Sequence, residues 1–142
     1  MKFKKLVLIS FATLMILSFT SLIYAKKVVE PTPHEEDGIT ITLYNSTGVF
    51  TKGNNDFELE FKKDGKMLDV GNDVTVKFYM PPMPPSMPEM WGKGDSKLSK
   101  TSTSGLYKGS VSLPMGHTWQ VIVKYTIDGK SRTLTFDIEA EE

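Results

Sequence analysis

Between residues 80 and 91 the chain reads Met-Pro-Pro-Met-Pro-Pro-Ser-Met-Pro-Glu-Met-Trp. Thioether sulfur is a soft, uncharged donor, and among metals met outside a cytoplasm it suits copper(I). Methionine forms no disulfide, so it keeps its donor in an oxidising compartment where cysteine is lost. Prolines at 81, 82, 84, 85 and 88 exclude a helix interior and a central strand. They favour polyproline II, which repeats every three residues. In that geometry Met80 and Met83 share one face and Met87 and Met90 another, with eclipsed Cα atoms about 9 Å apart. Such pairs give only a linear or lopsided site. A closed one needs ligands from another segment, and Met115 and His117 in Leu113-Pro114-Met115-Gly116-His117 are the candidates. Trp91 and Trp119 offer aromatic faces for a cation or a screen against water.

Each donor also has a plainer reading. Met80 falls on the inward side of a strand and suits core packing. Met115 follows a proline at a strand corner and suits a core cap, and His117 suits a surface position before a strand. Met83, Met87 and Met90 have little core to fill from a proline-bound loop. They suit a metal or an apolar patch for a protein partner.

The elements that must position these residues are strands. Ile39, Ile41 and Leu43 alternate with polar residues, as do Phe57, Leu59 and Phe61, then Val74, Val76, Phe78 and Met80. Trp119, Val121, Val123, Tyr125 and Ile127 form another such set, followed by Leu134, Phe136 and Ile138. Alternation of this kind marks half-buried strands. Tyr107 to Leu113 makes a weaker strand and Lys97 to Thr101 a short polar one. Glycine-bearing turns at 63–66, 102–105 and 128–130 punctuate them. Seven strands in about 100 residues predict an all-β domain, an immunoglobulin-like antiparallel β-sandwich.

If successive strands reverse direction, alternate loops share a pole. The 45–54 loop, the 81–96 loop and the 113–117 corner then gather at one pole, and the tight glycine turns at the other. That parity depends on the short strand at 97–101.

Lys2, Lys4 and Lys5 precede an apolar run ending at Tyr24-Ala25. A basic start, an apolar middle and a small final residue read as a secretory signal cleaved after Ala25. Residues 6–25 are also about as long as a bilayer core requires, so an uncleaved anchor helix is the alternative. Either way the remainder is extracytoplasmic, periplasmic or secreted. Residues 26–38, with Pro31, Pro33 and a run of charges, read as a linker. His34 beside Glu35, Glu36 and Asp37 belongs there to a solvated tether, and 39–142 form the domain.

Composition removes most other functions. The chain carries 17 basic and 17 acidic residues. Without residues 1–25 it loses three lysines and no acid, which leaves a mild negative charge. A formal charge of zero removes the electrostatic argument for nucleic-acid binding, which needs a basic face. Zero cysteines exclude thiolate metal cages and cysteine nucleophiles. No recognisable catalytic motif supplies a nucleophile with its general base, so no enzyme is expected.

Several of these segments resemble the YtkA-like domain family. They are the Asp64-Gly65-Lys66 turn, Asp73-Val74-Thr75-Val76 leading into Met80-Pro81-Pro82-Met83, Gly105-Leu106-Tyr107, and Leu113-Pro114-Met115-Gly116-His117-Thr118-Trp119. The resemblance spans about residues 39–140. It implies a small extracytoplasmic immunoglobulin-like domain, related to FixH-type proteins and to modules of heavy-metal efflux adaptors, in a context of metal handling. His117 stands where that pattern usually has glycine, so Gly116 must meet any backbone demand there.

The sequence thus predicts an exported, non-catalytic domain that binds copper(I) or hands it on. Met83, Met87 and Met90 are the exposed donors, Met115 and His117 the fixed ones, Met80 completes the expected metal set, and Trp91 is a neighbouring screen. The competing expectation is an interaction module whose Pro-Met loop docks on a membrane transporter or an oxidase-assembly partner.

Overall fold

A computed structural model describes residues 30–142. The signal or anchor expected over residues 1–25 lies outside the described residues. Among the described residues there is no helix, and the chain forms eleven strands in two sheets.

The first sheet runs β1 (His34–Glu36), β2 (Ile39–Asn45), β4 (Gly53–Lys63), β9 (Leu106–Leu113), β8 (Ser99–Lys100), with β5 (Lys66–Met67) also on β4. The second runs β3 (Phe50–Thr51), β11 (Lys130–Glu141), β10 (Thr118–Ile127), β6 (Thr75–Met80), β7 (Met90–Trp91). Their inner faces form one core. Trp119, Tyr107, Tyr125 and Phe61 are fully buried in it. Phe61 of the first sheet meets Tyr125 of the second edge-on, ring centres 5.2 Å apart, and so ties the layers together. The two sheets make a β-sandwich.

All seven expected strands are present, and four short ones are added. Three of the additions pair antiparallel, but β3 lies parallel to β11 through Phe50–Ala140 and Thr51–Glu141, so the sandwich is mixed. The chain then switches sheets between β3 and β4. Buried Asn55 pins the switch, its amide accepting from Thr51 N at 2.9 Å and donating to the Thr51 and Gly53 carbonyls.

The stretch read as a tether contains β1. His34, Glu35 and Glu36 pair with Ile41, Thr40 and Ile39. The reversal is made by Asp37-Gly38, with φ of 51° and 77°, the left-handed pair that a two-residue hairpin turn requires. Asp64-Gly65 and Asp128-Gly129 repeat that geometry. All three turns close hairpins at the base of the sandwich, at the end of each strand pair remote from the 81–96 loop.

Candidate functional site

Ladder pairing sets β6, β10 and β11 side by side, and the segments at their upper ends decide the site. The 80–91 segment folds back on itself and does not form a polyproline helix. Met80 pairs with Met90 across β6 and β7. Beyond that pair Met83 and Met87 form a second one: Met83 N–H donates to the Met87 carbonyl at 2.9 Å, and Met87 N–H returns the bond at 3.1 Å. Between them lie Pro84, Pro85 and Ser86, with a cis Pro84–Pro85 bond. The facing pairs are therefore Met80 with Met90 and Met83 with Met87, which corrects the pairing expected from a three-residue repeat. Prolines 84 and 85 sit in the closing loop and donate to no ladder, so the segment can pair while carrying them.

Directly opposed residues of an antiparallel pair project to the same side, with Cβ atoms about 5 Å apart. Met80 is 1% exposed and belongs to the core, and Met90 is half-buried beside it. The expected exposed donors are all half-buried. Met83 also packs against the core margin, as does Met115.

A hollow of about 200 Å³ lies where the 81–83 segment meets the start of β10. Met83 and His117 line it together. Thr118, Gln120 and Asp137 form the rest of its wall, over Met80 and Pro81. Gln120 and Asp137 are partners in the β10–β11 ladder, which sets them side by side on the outer face of the second sheet. Thr118 Oγ donates to the Glu139 carboxylate and is thereby committed away from the hollow. His117 is exposed, and its carbonyl accepts from Ala140 N at 2.9 Å, which fixes its backbone on β11.

Met115 takes another place. Its carbonyl accepts the indole N–H of buried Trp119 at 3.0 Å, and its side chain packs against the core without lining the hollow. Gly116 bears the backbone demand of this corner through close approach: a Cβ there would stand 2.5 Å from Glu141 C and from Glu142 N. Gly116 N also donates to the Glu142 carboxylate at 3.1 Å. A side chain is thus tolerated at position 117 and excluded at 116.

Neither tryptophan lines the hollow. Trp119 is fully buried. Trp91 is 46% exposed and lies against Tyr79 with the rings tilted by 42° and their centres 4.6 Å apart, while Tyr79 OH donates to Glu89 at 3.3 Å. Burial, and then Glu89, raise the Tyr79 pKa.

Among the described residues no three His, Cys, Asp or Glu side chains cluster as a metal site. Donors for a soft ion would be the thioethers and one imidazole. Met83, Met87 and His117 fit a soft monovalent cation by chemistry, and the Asp137 carboxylate suits a harder one. Sequence reasoning missed Gln120 and Asp137. Their signal was the outward register of the two strands, which points to the hollow only once the strands are paired.

The model of the YtkA-like family matches residues 34–124. No curated protein matches the chain. Among solved structures, a DUF4426 family protein from Pseudomonas aeruginosa aligns over 77% of this chain and 93% of its own, with a TM-score of 0.51 and 13% identity. This is a likeness of fold. The GAE domain of GGA2p from Saccharomyces cerevisiae covers 78% of this chain and 96% of its own at 11% identity, with a TM-score of only 0.35.

Proposed function

The chain belongs to the YtkA-like family, and we propose that it is an extracytoplasmic, non-catalytic domain that binds copper(I) at its Met83–His117 tip or passes it on. The immunoglobulin-like reading of the sandwich belongs to this proposal. It is supported by a first sheet ordered β2-β4-β9-β8 and a second ordered β11-β10-β6, the arrangement of that fold. Export by residues 1–25 and the relation to FixH-type proteins and efflux-adaptor modules are further parts of the proposal.

One observation carries the copper reading: Met83 and His117, 34 positions apart, border the same hollow. Met87 is held to Met83 by two backbone hydrogen bonds and supplies the second thioether. Two thioethers and an imidazole make a soft donor set, which favours a monovalent soft ion over divalent hard ones. Met80, Met90 and Met115 support the tip from the core side.

The test is competition of the purified protein against a copper(I) chelator, repeated with Met83→Leu, Met87→Leu and His117→Ala. The reading expects each variant to lose at least about tenfold in affinity, or about 1.4 kcal/mol. Equal extraction of copper by wild type and by the triple variant would overturn it.

Exposed Trp91, packed against half-buried Tyr79 beside the loop, favours a second reading, a docking surface for a membrane transporter or assembly protein. Leu at positions 83, 87 and 90 then preserves capture of that partner, Ser weakens it, and Trp91→Ala abolishes it.

A further inference from the structure

Met83 differs from Met80 and from Met67 in its surroundings. Met80, 1% exposed, is a core residue at the floor of the hollow, and Met67, 36% exposed, faces solvent. Met83 is half-buried against the core margin and also opens on a hollow with polar walls. Gln120 brings a carboxamide with two N–H donors to that wall, and His117 brings an imidazole with at least one. Neither side chain hydrogen-bonds another described residue. Asp137, an acceptor, lies on the same wall as Gln120. A thioether offers these donors only a weak acceptor, whereas a sulfoxide oxygen is a strong one.

We propose that Met83 is an oxidation site whose product the hollow is shaped to receive. A sulfur lone pair attacks one oxygen of a peroxide, the S–O bond forms and the O–O bond breaks. The leaving hydroxide takes up the proton shed by the transferred oxygen and departs as water, or as an alcohol from an alkyl peroxide. Sulfur is oxidised and the peroxide reduced, in balance. The new oxygen accepts hydrogen bonds from Gln120 and His117. The soft donor is replaced by a polar group, and His117 is drawn into the new contact. Oxidation therefore switches the tip from metal-binding to closed, a consequence that rests on the copper reading, whereas the modification does not.

The experiment treats the full chain with hydrogen peroxide and follows each methionine by peptide mass spectrometry. Met83 is expected to oxidise within about threefold of exposed Met67 and at least about tenfold faster than Met80. A Met83 rate as slow as that of Met80 overturns the proposal. In a Met67→Leu, Met87→Leu background the loss of urea midpoint on oxidation is then compared with and without Gln120→Leu. A larger loss in the Gln120→Leu protein supports reception by the hollow, and equal losses refute it. Copper(I) competition before and after oxidation reads the switch, expected as at least about a tenfold drop. An unchanged affinity refutes the switch. If the untreated protein takes up no copper, the functional reading fails, and the oxidation rates and midpoints still decide the modification.

Discussion

The indole N–H of Trp119 donates to the carbonyl of Met115 at 3.0 Å, from a side chain with no exposed surface. The bond crosses the corner that presents His117, so the core residue and the tip residue are parts of one rigid turn. Trp119→Phe leaves the Met115 carbonyl without its donor and opens a small void. It should cost about 2–4 kcal/mol, read as a lower urea midpoint at unchanged slope. An effect under about 0.5 kcal/mol would mean that the corner holds itself.

Met80 and Met83 are separated by three positions and by their role. Met80 is buried with Val121 and Phe78 in the core, while Met83 borders the hollow. Met80→Leu conserves volume and should cost less than about 1.5 kcal/mol, with Met80→Ala costing about 2–5 kcal/mol. Copper(I) affinity should survive Met80→Leu and fall with Met83→Leu. If the two leucine variants lose copper alike, Met80 is a donor and the assignment of the core side is wrong.

Gly116 is fixed by contact. Its missing Cβ leaves room for the Glu141–Glu142 backbone at 2.5 Å, closer than any side chain permits. Gly116→Ala must push the final residues away and break the Gly116 N–Glu142 bond. About 1–3 kcal/mol of destabilisation is expected from this overpacking, measured by chemical denaturation. Wild-type stability in the alanine variant would show that the chain end moves aside freely.

These positions show what the residue order makes legible. Strict alternation at 57–61 and 119–127 identified strands because the core takes every second side chain. The pole shared by the 81–96 loop and the 113–117 corner followed from strand parity, since each reversal is forced by a turn. Strand β1 escaped because three polar residues have no apolar alternation. Asp37-Gly38 was nevertheless the same turn signal as Asp64-Gly65 and Asp128-Gly129. The methionine pairing escaped for a different reason. Proline content sets local backbone preference, but Met80–Met90 and Met83–Met87 are decided by a ladder that only the edge of β6 offers. Gln120 and Asp137 could be placed on the outer face but not at the hollow, because the hollow needs β6 paired with β10 and the 81–83 segment laid beside them.

Asp69 organises the loop before β6. Its carboxylate accepts from Gly71 N at 2.8 Å, from Lys100 Nζ at 3.1 Å and from Tyr107 OH at 3.3 Å. The Gly71 amide, followed by Lys100, holds its pKa below the usual range. The unfolded chain therefore binds the proton first as pH falls. Asp69 contributes stability above an unfolded value of about 3.9, and that contribution is lost as pH drops through the lower folded value. Asp69→Asn should flatten this part of the acid limb, measured as urea midpoints between about pH 5 and pH 2. An acid limb as steep as wild type would show that other carboxylates carry it.

His34 tests whether β1 is a working part of the domain. Its ring stacks on Phe136 of β11, centres 4.0 Å apart and planes 16° from parallel, so a residue on the edge of one sheet covers the core margin of the other. Burial lowers the imidazole pKa, which means that the docked ring favours the neutral form. The unfolded chain takes up the proton near pH 6.5, the folded one only at lower pH, and between the two the unfolded state carries more protons. The stacking contribution is therefore complete above about pH 6.5, declines as pH falls through that window, and levels off below the folded value. His34→Phe keeps an aromatic ring and removes the titration. Urea midpoints should fall further between about pH 7.5 and pH 5 in wild type than in His34→Phe. If the phenylalanine variant loses as much as wild type, the His34 ring does not hold β1 against Phe136 in solution.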